Sequence, residues 1–394
     1  MDKQGKLMSY CSTEPFSLES GGELPGIEIG YHTYGKLNSK RDNCVWVCHA
    51  LTANSDVADW WPHTVVPEGF LDPNKYFIVC ANIIGSCYGS TGPMSINKET
   101  GEPWYGDFPR LTIRDMVKAH ILLANHLNLK KIYSLIGSSV GGFQAIEWAI
   151  TEPWRFDSMV LIATAAYATP WTIAIDETQR MAIFADKSYG EKHKDAGKDG
   201  LAAARALALL TYRGGKGYNL TQQDQEDNSG NVPDYHRACS YQKHQGDKLV
   251  RRFDAYSYIT IINAFDTHNV GRGRDGISQA LQFVEFPVLC VGITTDLIFT
   301  PEEMRDLSIM FPRSRYKEIS SQFGHDGFLV EHSLLNTIIK DFFKSLPVKP
   351  LPPEEEEPEK VVKEGKPRTR RSTKKVNLED PHPQLPTTPN LPIP

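Results

Sequence analysis

From the N-terminus to Leu346, short β-branched runs alternate with longer stretches whose apolar residues recur at helical spacing. The runs at 43–48 (NCVWVC), 76–80 (YFIVC), 132–137 (IYSLIG), 158–163 (SMVLIA), 287–292 (PVLCVG) and 315–320 (RYKEIS) predict strands. Helical periodicity predicts helices over 113–127, 141–151, 301–310 and 326–345. This alternation is the signature of an α/β fold with a mostly parallel central sheet covered by helices. Between 163 and 287 it fails, and helix follows helix, as in 171–186, 200–213 and 254–268. The expected organisation is therefore a sheet core in two parts, 1–168 and 284–346, interrupted by a helical lid insertion over 169–283. Such an insertion sits over the C-terminal edge of the sheet, where open α/β sheets bind their ligands.

The last 48 residues, from Pro347, differ in character: they hold 12 of the 26 prolines, an acidic run from Glu354 to Glu357 and a basic run from Lys366 to Lys375. This composition predicts a disordered tail, because it offers too little apolar surface to offset the entropy of ordering. The chain as a whole is that of a globular protein, with 40% hydrophobic residues and a formal net charge of −5. That balance argues against a nucleic-acid partner and for small-molecule ligands. There is no apolar segment at the N-terminus of the kind a secretory signal needs, and no run of about 18 apolar residues that would span a membrane. A cytoplasmic location is expected, with no membrane partner. The seven cysteines are an odd number, thinly spread and without a C-x-x-C pair, which predicts reduced thiols and no metal site.

The most informative motif is Gly137-Ser138-Ser139-Val140-Gly141, a G-x-S-x-G between a predicted strand and a predicted helix. A sharp strand-to-helix turn needs small residues two places either side of the nucleophile, since larger ones would strike neighbouring backbone. It holds Ser139 Oγ at the positive end of a helix, and the amide of Val140 points at a developing oxyanion. A second motif, Gly85-Ser86-Cys87-Tyr88-Gly89, also follows a strand, but its turn-rich downstream sequence supplies no helix. Cys87 is expected to be a loop residue near the site. In α/β-hydrolases the serine is followed along the chain by an acid and then a histidine, on loops after later strands. Asp296, after the 287–292 strand, and His325, after the 315–320 strand, fit that order. His325 would take the serine proton, and Asp296 would fix the imidazole tautomer.

With an elbow reading GSSVGGFQAIEWA, an acid loop VGITTDLIFTPEEM and a base loop FGHDGFLVEH, the chain closely resembles the homoserine O-acetyltransferase family of α/β-hydrolase-fold enzymes. The segments CHALTANSDVADWW, IGSCYGSTGPMSIN, DFPRLTIRDMVKAH, YQKHQGDKLVRRFDAYSY and THNVGRGR extend the resemblance over about residues 15 to 345. It implies the backbone amide of Leu51 as the second oxyanion donor, and Arg213 and Asp326 as the residues that bind the amino-acid acceptor. A guanidinium suits the acceptor's carboxylate, and a carboxylate suits its ammonium.

The resemblance further implies transfer of an acetyl group from acetyl-CoA, a co-substrate, to the hydroxyl of L-homoserine through an acyl-serine. No resident cofactor is expected, and the expected assembly is a homodimer. Departures from the family's usual pattern fall at Ser138, Val140, Gly214-Gly215-Lys216, His244-Gln245-Gly246 and the Tyr of DAYSY. They leave the triad intact but bear on substrate choice. A succinyl donor, a serine acceptor and a simple carboxylesterase stay open as alternatives.

Overall fold

Successive side chains of β5 (Cys44–Cys48) point to opposite faces of a sheet that is covered on both sides. Cys44, Trp46 and Cys48 join one core cluster, while Val45 and Val47 join the other. Burial on both faces explains why this strand is a continuous apolar run rather than an alternating one. The computed structural model in which this is seen describes residues 5–224 and 236–347.

The sheet has eight strands. Besides β5 they are β1 (Met8–Ser12), β4 (Ile27–Tyr34), β6 (Phe77–Ala81), β7 (Ser134–Ser138), β8 (Met159–Ile162), β9 (Val288–Ile293) and β10 (Ser314–Ile319), in the order β1-β4-β6-β5-β7-β8-β9-β10. A separate two-stranded ribbon pairs β2 (Phe16–Ser17) with β3 (Glu23–Leu24). From β6 to β10 every pairing is parallel, whereas β1 and β4 add an antiparallel edge. The six predicted strands match β5 to β10, and this edge is the part that the β-branched runs do not announce.

On one face lie α2 (Ile113–His126), α3 (Val140–Thr151) and α10 (Pro301–Met310). On the other are the short α1 (Val57–Trp60) and α12 (His332–Lys344). Capping boxes at Thr112/Asp115 and Thr300/Glu303 fix where α2 and α10 begin. The helix expected over 326–345 is divided. A 3-10 turn at Gly324–Asp326 leads into α11 (Gly327–Val330), and the chain leaves helical geometry at Glu331 before α12. Trp61 Nε1 donates to the carbonyl of Phe328 at 2.9 Å, occupying the acceptor that a continuous helix would use four residues later. His325 thus stands on a tight turn ahead of the last helices rather than opening them.

Between β8 and β9 run α4 (Pro170–Phe184), α5 (Lys198–Tyr212), α6 (Gly215–Gln222), α7 (Arg237–Val250), α8 (Ala255–Asp266) and α9 (Ile277–Leu281). These helices belong to the same compact unit as the sheet, Met1–Leu346. Phe265 of α8 packs its ring 4.7 Å from that of Phe143 on α3, directly behind the serine turn. The tail expected from Pro347 lies, beyond that residue, outside the described residues.

Candidate active site

Ser139 joins β7 to α3 with φ 54° and ψ −129°, a conformation that L-residues rarely adopt. Its neighbours hold it there. The Ser139 amide donates to the carbonyls of Ile162 and Ala163, both at 3.1 Å, and its own carbonyl accepts from Gly142 N at 2.9 Å and Thr164 Oγ1 at 2.8 Å. The flanking glycines are required by contact: a Cβ at Gly137 would lie 2.3 Å from the Gly141 carbonyl oxygen, and one at Gly141 would lie 2.0 Å from that of Cys48. The expectation of small residues either side of the nucleophile is thereby given its physical cause.

His325 Nδ1 lies 2.7 Å from Asp296 Oδ2. The other oxygen of Asp296 accepts from the amides of Ile298 at 2.8 Å and Phe299 at 3.1 Å, so the carboxylate is oriented by backbone as well as by the ring. With both carboxylate oxygens engaged, Nδ1 carries the proton and Nε2 is left free for the serine. Burial by itself would push the imidazole down, but the Asp296 carboxylate, helped by Asp326, more than offsets it and holds His325 above its ordinary value. Ser139 and His325 both line a cavity of about 540 Å³, together with Leu51, Tyr212 and Asp326. A hollow of about 590 Å³ beside α6, lined by Tyr218 and Leu220, contains none of these groups.

Leu51 and Val140 flank Ser139 in a narrow recess that continues from the cavity. Among the described residues, neither of their backbone amides donates a hydrogen bond within the chain. Two unpaired N–H groups beside Ser139, one of them at a helix N-terminus, are the kind of donors that an oxyanion hole would need.

Arg213 and Asp326 are brought together as an ion pair, Nε to Oδ2 at 2.8 Å. Asp326 lines the cavity, whereas Arg213 stands behind it through this pair, with its Nη2 donating to Tyr241 Oη at 3.0 Å. Backbone contact brings the two segments together. A Cβ at Gly324, where φ is 63°, would lie 2.5 Å from the amide nitrogen of Gly214, the first of the departures after Arg213. Burial raises the Asp326 carboxyl above its ordinary range, while Arg213 and Arg205 oppose that rise.

Cys87 lines neither the cavity nor the recess. Its Sγ faces the carbonyl of Arg252, and burial, reinforced by Asp254, pushes the thiol up to about 12, which removes it as a thiolate nucleophile.

Several residues absent from the sequence expectations belong to the site. Arg205, Lys248 and Arg252 line the cavity, and none of them is ion-paired among the described residues. Buried Gln144 donates to the carbonyls of His49, at 3.3 Å, and Val140, at 3.2 Å, tying the loop of Leu51 to the serine helix. Its Oε1 accepts from His120 Nε2 at 2.9 Å. Among the described residues, no group of three or more His, Cys, Asp or Glu is placed to hold a metal ion, and no helix is long and apolar enough to cross a membrane.

Residues 43–332 match the alpha/beta hydrolase fold family. The chain is 43% identical over 334 residues to the homoserine O-acetyltransferase of Cyclobacterium marinum, covering 85% of this chain and 94% of that protein. The chain belongs to the homoserine O-acetyltransferase family.

The crystal structure of the Staphylococcus aureus homoserine O-acetyltransferase superposes with a TM-score of 0.73 at 29% identity, covering 88% of this chain and 97% of that one. Esterase E22 superposes with a TM-score of 0.78 at 22% identity, covering 86% and 100%, and so shares the fold.

Proposed function

We propose that this acyltransferase moves an acetyl group from acetyl-CoA to the hydroxyl of L-homoserine in two half-reactions. In the first, His325 Nε2 takes the proton of Ser139 Oγ as the oxygen attacks the thioester carbonyl. The amides of Leu51 and Val140 stabilise the tetrahedral oxyanion, and CoA departs with the proton returned by His325. In the second, His325 deprotonates the acceptor hydroxyl, which attacks the acetyl-serine and regenerates the free hydroxyl of Ser139. Asp296 holds the imidazole in the tautomer that both halves require.

The observation that carries this reading beyond simple ester hydrolysis is the Arg213–Asp326 pair, placed next to the base on the turn that bears it. An amino-acid acceptor brings one ammonium and one carboxylate, and the pair offers a complementary charge for each. An esterase acting on uncharged esters has no use for it. A cytoplasmic homodimer is part of the same proposal.

The test is thiol release from acetyl-CoA and succinyl-CoA, each with homoserine, serine or no acceptor. Rapid sustained release with acetyl-CoA and homoserine alone is expected. Equal release without an acceptor would favour a hydrolase.

A further inference from the structure

The N–H groups of Leu51 and Val140 belong to the planar peptide units Ala50–Leu51 and Ser139–Val140, so whatever holds the carbonyl of each unit also aims its N–H. The two carbonyls are held alike. The Ala50 oxygen accepts from the amide of Ala53 at 3.1 Å and from His49 Nδ1 at 2.9 Å. The Ser139 oxygen accepts from the amide of Gly142 at 2.9 Å and from Thr164 Oγ1 at 2.8 Å. Each thus takes one backbone donor three residues further on and one side-chain donor from the interior, since His49 and Thr164 are both 0% exposed. A single donor already spares a buried carbonyl the penalty of being unpaired. The second occupies its other lone pair and fixes the peptide plane.

The tautomer of His49 is set by its surroundings. Its Nε2 accepts from the amide of Ile83 at 3.1 Å, so that nitrogen carries no proton, and burial pushes the imidazole down to about 4, so the ring is neutral. Its one proton is therefore on Nδ1, facing the Ala50 oxygen. Neither His49 nor Thr164 lines the cavity or the recess, so their route to the reaction runs through the peptides they hold.

We infer that His49 and Thr164 are positioning residues, each donating to the carbonyl of one oxyanion-donor peptide and so aiming and polarising the N–H at its other end. The inference rests on the acyl-serine reading above and deepens it. A hydrogen bond accepted at C=O strengthens the N–H of the same unit as a donor. A plane pinned at both lone pairs also has little reorganising to do when charge develops on the substrate oxygen. Acylation and transfer each pass through a tetrahedral intermediate whose oxygen meets the same two N–H groups, so both half-reactions depend on the two side chains.

Three quantities test this on the full chain: the acetyl-CoA thiol burst, the discharge of the acetyl-enzyme by homoserine, and the affinity for methylboronic acid, whose tetrahedral anionic adduct on a serine imitates the intermediate. The variants are compared in pairs. Thr164→Val removes the hydroxyl at nearly constant shape, and Thr164→Ser keeps it. In His49→Gln the side-chain amide reaches the place of Nε2 and can still accept from Ile83, whereas in His49→Asn it reaches the place of Nδ1 and can still donate to Ala50. Thr164→Val and His49→Gln should slow both half-reactions by about 10- to 100-fold, less than outright loss of an oxyanion donor, and weaken boronate binding to a similar extent. Thr164→Ser and His49→Asn should each be about 10-fold faster than the variant they are paired with, and the homoserine KM should not change. If His49→Gln does not fold, the Thr164 pair decides alone. Wild-type rates and boronate affinity in a folded Thr164→Val protein would overturn the inference while leaving the acyl-serine reading intact. So would equal losses in Thr164→Val and Thr164→Ser, or a raised homoserine KM with a normal burst. The absence of any burst in the wild type would instead overturn the acyl-serine reading, and the inference with it.

Discussion

Gln144 Nε2 lies 3.3 Å from the carbonyl oxygen of His49, two residues before Leu51, and 3.2 Å from that of Val140. One buried side chain thus links the two segments that carry the proposed oxyanion donors, Leu51 and Val140. Burial pushes His120 down to about 4, so the imidazole is neutral and donates through Nε2 to the amide oxygen of Gln144, which fixes the orientation of that amide.

Gln144→Leu should therefore lower the rate constants of both half-reactions by about 10- to 100-fold, less than outright loss of an oxyanion donor, with little change in acceptor KM. The His49 carbonyl loses its side-chain donor, at a cost of about 1–3 kcal/mol in stability. Burst kinetics beside thermal unfolding separate the two effects. A variant that is destabilised yet acylates at the normal rate would show that Gln144 serves packing alone.

The pH profile follows from the triad. His325 must be neutral to act as base and its pKa is raised, so activity should climb with pH through a midpoint above about 6.5. Stability runs the other way. A histidine raised by its partner stabilises the fold fully below its unfolded pKa, and that contribution is lost as pH rises through the folded value. Asp296→Asn should shift the activity midpoint downward and flatten the stability trend, while greatly lowering kcat because the wrong tautomer is favoured. A midpoint that does not move in Asp296→Asn would break the link between the two residues.

Much of this was legible in the sequence. Five of the six parallel strands, β5 to β9, are short apolar runs because both faces of the sheet are covered there, while the edge strand β10 is mostly polar and exposed, and the elbow, acid and base stand at strand ends where backbone must turn. The edge strands β1 and β4 were not legible. Ser9 and Cys11 of β1 face solvent, and Gly30 and His32 interrupt the apolar pattern of β4. Gln144 was hidden in a different way. It stands, with Glu147, in an otherwise mostly apolar buried helix, and a buried amide there signals a hydrogen-bonding duty whose partners, His49 and His120, only the tertiary fold brings within reach. The pairing of Arg213 with Asp326 likewise depends on the close backbone approach of Gly214 and Gly324, which no local pattern encodes.

That pairing makes a test of its own. Arg213→Ala removes the nearest cation opposing the rise of the Asp326 carboxyl, so the carboxyl should move further up. The homoserine KM of this variant should be raised most at low pH and should fall as pH climbs, while the acetyl-CoA burst persists. The cycle of Arg213→Ala and Asp326→Asn should show a coupling of about 0.5–3 kcal/mol in acceptor efficiency. Simple additivity would mean that the two residues act separately.

The central claim is that Ser139 carries the acetyl group between the two substrates, and intact-mass spectrometry tests it most directly. After mixing with acetyl-CoA alone, the protein should gain one acetyl group, mapped to Ser139 by peptide digestion and discharged on adding homoserine. Ser139→Ala should gain none while remaining folded. An adduct that persists in Ser139→Ala, or transfer to homoserine without any acetylated protein, would contradict the account.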